Sequence, residues 1–309
     1  MTKNLPDIWQ EIEQKTRLFD GLNLRQNLDY EKFTIYSIIT HSTAIEGSIL
    51  TEQEAELLFE SGLTAKGKPL AHHLMNTDLK NAYMFAVERA KKKPKFSSGF
   101  LKTLNALVMK STGGINSAMG GNFDSSRGDF RLCGVTAGIG GKSYINYLKI
   151  PDKINEFCGK LNKQLNVKSK ETLSNCLCGM KRKAHGAQEP RHIERYVEVT
   201  SAAQRSDSPA QAINQSFPDN LKELYEITFN AHLDLATIHP WVDGNGRTGR
   251  LLMNFLQFYF KLVPTKTFSE DRAEYIESLR KSQDKNDNSY FLEFMAFQHL
   301  KTLCAEIAS

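Results

Sequence analysis

The chain lacks any run of about 18 uncharged apolar residues, the length that a membrane-spanning helix requires. Its opening residues, MTKNLPDIWQEIEQK, include several acidic side chains and lack the apolar centre of a secretory signal. We therefore expect a soluble, cytoplasmic protein without a membrane partner.

Cysteine is scarce, with five residues in a chain of 309, and their odd number and irregular spacing do not describe a disulfide framework. Cys176, Cys178, His185 and His192 offer atoms that bind zinc, but their spacing matches no common zinc site. We expect reduced, mostly structural thiols and no zinc ion at this position.

Neither sign of charge dominates, since 40 Lys and Arg residues oppose 35 Asp and Glu residues and leave a net charge of +5. The run from Lys91 to Lys93 falls in the last turn of a predicted helix, where cations complement the helix dipole. This run and the basic residues near Lys181 keep nucleic-acid binding as an alternative. No helix-turn-helix or zinc-finger pattern supports it, and we expect no nucleic-acid partner.

Apolar residues recur mainly at intervals of three and four, which predicts an all-α fold over most of the chain. The residues from Thr51 to Glu54 form a capping box, so a helix begins near Thr51. Pro69 is predicted in the first turn of the next helix, which stops before Pro94. Between residues 113 and 150, glycines followed by β-favouring residues predict a loop with a short β-hairpin.

The densest chemistry lies in twelve consecutive residues, HPWVDGNGRTGR, which follow one predicted helix and begin another. The backbone amides of Gly244, Asn245 and Gly246 can converge on an anion at the start of the second helix. Arg247 and Arg250 are three positions apart, so their guanidinium groups are neighbours on its first turn. This arrangement suits a polyphosphate.

Two further side chains of the segment add reactive groups. Asp243 supplies the hard oxygen that a Mg²⁺ ion bridging phosphates requires. His239 carries an imidazole, which titrates near neutrality and can take a proton from an incoming hydroxyl. The residues predict a nucleotide-phosphate site with a metal and a general base. A plain turn with a buried histidine would explain neither Asp243 nor the two arginines.

A different pattern, the GxGxxG of dinucleotide-binding domains, also fits Gly244, Gly246 and Gly249, with the acidic Glu270 and Asp271 about 20 positions further on. That motif requires a strand before the glycines, whereas a helix is predicted here. No Walker A pattern occurs either. We therefore expect neither a dehydrogenase nor a P-loop enzyme.

The twelve residues resemble the Fic-domain signature HPFxxGNGRxxR, with Trp241 in place of the phenylalanine. A weaker resemblance extends over residues 35–300 and includes the sequence GDFR that ends at Arg131. Fic proteins are mostly helical and transfer AMP from ATP to a hydroxyl side chain of a protein. The resemblance implies a protein adenylyltransferase, with ATP as substrate, Mg²⁺ as cofactor and a hydroxyl-bearing target protein, which can be the enzyme itself.

The resemblance also implies a role for each residue of the motif. His239 would deprotonate a Ser, Thr or Tyr hydroxyl of the target, and Asp243 would hold Mg²⁺ on the α- and β-phosphates. Arg247 would bind on the β-phosphate side and Arg250 would bind the γ-phosphate. The anion hole would consist of Gly244, Asn245 and Gly246. Relatives that act as kinases depart from glycine at position 244, so this glycine favours AMP transfer.

A second match lies in the sequence HSTAIEGSIL, where Ser42, Glu46 and Gly47 resemble the inhibitory motif [S/T]xxxE[G/N] of one Fic class. Ser42 and Glu46 are one helical turn apart and can face the same way. By resemblance, Glu46 would pair with Arg250 and occupy the guanidinium donors that the γ-phosphate needs. In some relatives the same glutamate positions water that removes AMP from the target. A solvated glutamate at a helix end is the alternative.

The hairpin, expected between Phe130 and Tyr147, would be the flap of a Fic domain. Its edge strand can bind an extended target segment through main-chain hydrogen bonds. A purely structural hairpin is the alternative. Arg127 and Arg131 are either solvated or close to the target, and the sequence favours neither.

The expected organisation has three parts: an N-terminal helical region with the inhibitory motif (1–65), a Fic catalytic core (66–265), and C-terminal helices packed on that core (266–309). Residues 168–218 are too polar and irregular for an assignment. Other functions of the same fold stay open. They are removal of AMP from a target, transfer of UMP or phosphocholine, and nucleotide binding without catalysis.

Overall fold

The structure is a computed structural model that describes residues 5–27, 29–137, 141, 143–184 and 220–308. Over these residues the chain forms ten α-helices and one two-stranded antiparallel sheet, which confirms the predicted all-α fold with a short hairpin. None of the helices in this described part is both long and apolar enough to cross a bilayer. The elements are α1 (Leu5–Gly21), α2 (Tyr30–Ile45), α3 (Glu52–Ser61), α4 (Leu70–Lys91), α5 (Ser98–Val108), β1 (Ile115–Ala118), β2 (Gly121–Asp124), α6 (Ile150–Ala184), α7 (Leu221–Ile238), α8 (Asn245–Phe260), α9 (Arg272–Lys285) and α10 (Ser289–Ala308).

The chain divides into two compact units. The first comprises Met1–Asn162 and Asn220–Ser309, and it contains the twelve-residue motif and the Ser42 segment. The second is Lys163–Asp219, of which the structure describes the continuation of α6 to its end. The predicted three-part division at residues 65 and 265 stays a prediction.

Helix α8 forms the centre of the first unit. Leu251, Leu252, Phe255 and Leu256 are completely buried, because α7, α4 and α5 all pack against this helix. Polar residues of α8 are buried as well, among them Arg250, Asn254 and Gln257, so other elements enclose this helix on most of its sides. The start of α8, where the twelve-residue motif lies, is therefore fixed by packing on several sides.

The predicted start of α3 and the predicted end of α4 are confirmed, whereas Pro69 lies one position before the first turn in which it was predicted. Thr51 Oγ1 accepts a hydrogen bond from the amide of Glu54 at 3.2 Å, and the Glu54 carboxylate accepts one from the amide of Thr51 at 2.9 Å. This capping box begins α3. Pro69 is the N-cap of α4, and α4 ends at Lys91, before Pro94.

The regular β-structure lies earlier in the chain than the predicted flap. Strands β1 and β2 pair in an antiparallel hairpin, whose tight turn uses Gly121 at a φ of 114°, a conformation that favours glycine. Between Phe130 and Tyr147 the described residues form one antiparallel bridge, from Thr136 to Ser143. The described part of the expected flap therefore contains one bridge and no regular pair of strands.

Candidate active site

The loop between α7 and α8 begins where His239 leaves the helix. Its backbone has a left-handed φ of 50°, and its amide donates the last helical hydrogen bond to the Leu235 carbonyl at 3.0 Å. Pro240 follows and cannot continue the helix, because it has no amide hydrogen. The candidate base therefore lies on the loop, at the end of a packed helix.

Trp241 and Asn245 hold the loop closed. Trp241 is completely buried, and its indole Nε1 donates to the Gly128 carbonyl at 3.0 Å. The Asn245 side chain accepts a hydrogen bond from the amide of Trp241 at 3.1 Å and donates one to its carbonyl at 2.9 Å. The Asn245 side chain thus braces the loop, while its backbone amide lies in the first turn of α8.

Gly244 caps α8 in a position that no other residue fits without strain. Its φ is 78°, and a Cβ added to it would lie 2.7 Å from Met109 Sδ and 2.9 Å from Asn105 Nδ2. Asn105 itself donates to Thr248 Oγ1 at 3.1 Å. Helix α5 therefore packs directly against the start of α8. The two helices can approach this closely because residue 244 has no side chain.

Arg131 supports the same loop from the segment that follows β2. Its Nε donates to the His239 carbonyl at 2.9 Å, and its amide donates to the Pro240 carbonyl at 3.0 Å. The ring of Tyr144 stacks on the imidazole of His239, with ring centroids 3.8 Å apart. Burial, and secondarily the charge of Arg131, lowers the pKa of His239 to about 4. The imidazole is therefore neutral at physiological pH and can accept a proton.

Arg247 is a buried cation, and not all of its N–H donors are paired within the described residues. Its Nη2 lies 3.3 Å from Asp243 Oδ1 and 3.3 Å from Met109 Sδ. Its Nε and Nη1 have no hydrogen-bond partner among the residues that the structure describes. Buried polar atoms are normally paired, so a guanidinium in this state is suited to an anionic ligand.

Arg250, one turn further along α8, has a partner for each of its nitrogens. Nε donates to Ser42 Oγ at 2.8 Å, and Nη2 donates to the Ser42 carbonyl at 2.9 Å and to Glu46 Oε1 at 2.6 Å. Nη1 lies 3.2 Å from the Tyr275 hydroxyl. The structure thus brings together Ser42, Glu46 and Arg250, which the sequence separates by about 200 positions.

The Glu46 carboxylate also lies against the start of α8. A Cβ added to Gly246 would collide with Glu46 Oε1, and Gly47, at a φ of 99°, lets the chain turn away directly after α2. Burial works to raise the pKa of Glu46, but the attraction of Arg250 outweighs it and holds the pKa below the ordinary value. A carboxylate therefore occupies the anion-favouring end of the helix.

Comparison with known proteins identifies this region. The family model described as the Fic/DOC family matches residues 177–257, which include the whole loop and most of α8. The chain contains a Fic domain. Over 88 residues it is 39% identical to a protein adenylyltransferase Fic from Nematostella vectensis, a match that covers 28% of this chain and 20% of the relative.

A relative of the same name from Drosophila mojavensis is 42% identical over 73 residues, which are 24% of this chain and 14% of the relative. The chain thus matches a fifth or less of the length of these relatives. The whole fold is similar to a Fic domain containing signaling protein from Bacteroides thetaiotaomicron, with a TM-score of 0.63, 17% identity, and coverage of 99% of this chain and 96% of that chain. The Fic fold therefore extends beyond the matched segment.

The structure also brings to Arg250 a residue that the sequence did not single out for the site, Tyr275 on α9. Its hydroxyl lies 3.0 Å from Nε2 of the buried His232, and its ring centroid lies 5.5 Å from the Arg250 guanidinium carbon. No motif connects α9 to the start of α8. The apolar spacing of α9 was the one signal that could have placed Tyr275 toward the core.

In this domain, helix packing explains the last glycine of the GxGxxG pattern. A Cβ added to Gly249 would lie 2.7 Å from His232 Cδ2, so the third glycine allows α7 and α8 to approach each other. Helix α7, rather than a strand, precedes the glycines. The segment lacks the strand that a dinucleotide-binding fingerprint requires.

The carboxylate that a metal ion could reach at this site is that of Asp243, whose side chain is 63% exposed, whereas that of Glu46 is paired with Arg250. No three His, Cys, Asp or Glu side chains in the described part of the chain are grouped so that they could hold a metal. The side chains of Cys176 and Cys178, and the residues His185 and His192, lie outside the described residues. Because Mg²⁺ keeps several waters and takes other ligands from phosphates, one carboxylate fits an ion that arrives with a nucleotide.

Proposed function

We propose that this protein transfers AMP from ATP to a Ser, Thr or Tyr hydroxyl of a target protein, including itself, and that Glu46 restrains the reaction. The observation that carries the proposal is the position of the Glu46 carboxylate, which is bonded to Arg250 and packed against Gly246. A carboxylate there takes up the donors that a polyphosphate would use. The relatives named protein adenylyltransferase Fic, which share this segment, support the same activity.

In the proposed reaction the neutral His239 accepts the proton of the target hydroxyl. The hydroxyl oxygen forms a bond to the α-phosphorus of ATP, the bond between that phosphorus and the bridging oxygen of the β-phosphate breaks, and pyrophosphate leaves. The guanidinium of Arg247 and the amides of Gly244, Asn245 and Gly246 would stabilise the charge on the phosphate oxygens. Such chemistry depends mainly on positioning and charge stabilisation.

Asp243 would hold Mg²⁺ together with the phosphates of ATP. When bound, the ion would neutralise phosphate charge and order the polyphosphate. The Arg247 guanidinium lies 3.3 Å from the same carboxylate. Asp243 would therefore place the metal beside the cation that binds phosphate.

Two contacts would keep the resting conformation inactive. Glu46 lies 2.6 Å from Arg250 and occupies the fork that the γ-phosphate needs. Tyr144 covers one face of the His239 ring. Because a base with a pKa of about 4 is weak at neutral pH, the productive complex would also have to expose His239.

The test is transfer of label from α-³²P-ATP with Mg²⁺, in the presence and absence of a lysate from the cell that makes the protein. We expect little label with the wild type and at least about tenfold more self-labelling with Glu46→Gly, which corresponds to a restraint of about 1.4 kcal/mol or more. Glu46→Gln, which keeps the shape and removes the charge, should lie between them. Glu46→Gly with His239→Ala should give none.

Four outcomes would contradict the proposal. Labelling of His239→Ala would show that this imidazole is not the base. Binding of ATP by Glu46→Gly without any transfer would favour a nucleotide-binding regulator. More label from α-³²P-UTP than from α-³²P-ATP would show that UTP is the preferred nucleotide substrate. Loss of AMP from a previously labelled target would show that the protein removes AMP.

A further inference from the structure

A cavity of about 370 Å³ lies in the first unit, between the end of α1, helices α2 and α4, and the end of α8. Thr34 of α2 and Tyr259 of α8 line it. Ser42 and Arg250 lie more than two helical turns away on the same helices, roughly 12 Å along each axis. The cavity is therefore separate from the candidate active site, although the same two helices border both.

The inner wall of the cavity is apolar. Phe19 and Ile35 are buried there, and Val87 and Ala90 of α4 extend the wall. Its volume lies in the range of sites that bind small molecules, roughly 300–1,000 Å³. Since burial of apolar surface is favourable, a hydrocarbon chain fits this wall better than a polar ligand does.

The rim of the cavity carries four exposed cationic residues, Arg25, Lys91, Lys93 and Lys261. Asp20 lies 3.7 Å from Arg25. Glu88 lies 2.7 Å from Lys91, and Glu31, the acidic residue of the lining, also acts on Lys91. No carboxylate lies within ion-pair distance of Lys93 or Lys261 among the described residues. The Lys93 ammonium lies 5.1 Å from the ring centroid of Tyr259, a contact that supplies no carboxylate, so both lysines can still pair with an anion.

The backbone conformation of these two lysines is unusual. Lys93 follows α4 at a φ of 45°, and Lys261 follows α8 at a φ of 60°. Left-handed residues of this kind are normally Gly or Asn, as at Gly62 after α3 and Asn286 after α9. A lysine there costs about 1–2 kcal/mol. Strain of this kind persists mainly where it serves a site, and both strained lysines border one cavity.

We propose that this cavity binds an amphipathic carboxylate, a molecule with one anionic group and an apolar chain of about ten carbons. The chain would lie along the apolar wall formed by Ile35, Val87 and Ala90. The carboxylate would lie at the rim, where Lys93 and Lys261 can both approach it. Binding requires no nucleotide and no catalysis, so it does not depend on the proposed AMP transfer.

The test is isothermal titration calorimetry of the full chain with decanoate, below the concentration at which decanoate forms micelles. We expect saturable binding by the wild type and a loss of about tenfold or more in affinity for Lys93→Asn with Lys261→Asn. Asparagine adopts left-handed conformations readily, so these exposed substitutions keep the backbone and remove the charge. Lys92→Asn, at a neighbouring residue that does not line the cavity, is the matched control and should bind as the wild type does.

A second pair of measurements separates the two parts of the ligand. Decan-1-ol has the same chain without the charge and should bind at least about tenfold more weakly than decanoate. Ala90→Leu narrows the cavity and should weaken decanoate binding, with circular dichroism to show that the fold is kept. Absence of saturable binding to the wild type, unchanged affinity in the double lysine variant, or equal binding of the alcohol would each overturn the proposal.

Discussion

Two neighbouring arginines at the start of α8 are both almost fully buried, yet they have opposite surroundings. Arg250 contacts α2 and α9, where Ser42, Glu46 and Tyr275 occupy all of its nitrogens. Arg247 contacts the loop and α5, and two of its nitrogens have no partner among the described residues. Two arginines three positions apart in one motif thus differ because separate parts of the fold reach them.

The difference shows which of the two guanidinium groups is already paired within the protein. A buried charge is tolerated when it is paired, and Arg250 is paired with a carboxylate in the resting protein. Arg247 has an exposed carboxylate at 3.3 Å, a weak partner for a buried guanidinium. Arg250 thus belongs to a paired network in this structure, whereas two nitrogens of Arg247 stay unpaired among the described residues.

The largest expected effect comes from replacing each arginine in turn by leucine. Arg250→Leu leaves Glu46 without its cation and should lower the free energy of unfolding by roughly 3 kcal/mol, the lower end for a broken buried pair because Glu46 keeps 32% exposure. Arg247→Leu should change it by less than about 1 kcal/mol. Urea unfolding followed by circular dichroism measures both. Equal losses in the two variants would remove the distinction between the arginines.

A double variant checks the cause of the larger loss. Arg250→Leu with Glu46→Gln removes the charge that would otherwise be left unpaired. It should recover part of the stability that Arg250→Leu loses. If the double variant is as unstable as the single one, the loss would come from packing and not from the charge.

A second test concerns the glycine that positions the Arg247 side of the site. Gly244→Ala places a methyl group against Met109 and Asn105 and should destabilise the fold by roughly 2 kcal/mol. Gly62→Ala is the control, since Gly62 has a φ of 68° and nothing within 4 Å of an added Cβ. Gly62→Ala should lower the free energy of unfolding by about 1 kcal/mol, because only the left-handed backbone conformation disfavours alanine there. Equal costs would show that α5 does not constrain the start of α8.

A third test concerns the Arg250 side. Tyr275→Phe removes the hydroxyl that lies 3.2 Å from Arg250 and 3.0 Å from His232. It should lower the free energy of unfolding by about 1 kcal/mol, because buried polar atoms lose one partner. A double-mutant cycle with Glu46→Gln measures whether the two contacts to Arg250 are coupled. An unchanged stability in Tyr275→Phe would show that this hydroxyl does not hold Arg250.

The smallest effect concerns protonation of the candidate base. Burial disfavours the charged imidazole, so the pKa of His239 is lowered to about 4 and the ring loses its neutral form only when the pH falls through that value. Tyr144→Ala exposes the ring, and water then favours the charged form. The pKa should rise by about half a pH unit. Titration of ¹³C-labelled histidine by NMR measures it, with the buried His232, whose pKa is lowered to about 3, as the internal control.

Much of the fold could be predicted from local signals. The Thr51 capping box, the stop of α4 before Pro94 and the interruption at Pro240 each depend on residues a few positions apart. The place of the hairpin was predicted less well. The glycines around Gly121 form the regular turn, whereas the described residues of the later segment, up to Tyr147, form one bridge. Short strands have few local contacts, so the packing around them decides which segment pairs.

The candidate site divides in the same way. The loop residues His239 and Asp243 were predicted because the motif is contiguous. Asn105, Arg131 and Tyr275 were not assigned to the site, because each comes from an element that reaches the loop only after folding. The pairing of Glu46 with Arg250 was expected from a family resemblance, since sequence spacing alone does not indicate which distant residues meet.

The sequence by itself determined the chemistry at the start of α8, because a base, an acid, a glycine turn and two arginines within twelve residues must lie close together in any fold that keeps the turn. Only the tertiary structure decided how these groups are used. The packing of α2 and α9 against α8 pairs Arg250 with Glu46, and the packing of α5 leaves Arg247 beside a thioether and an exposed carboxylate. The physical reason is that the pairing of a buried charge depends on which distant elements reach it.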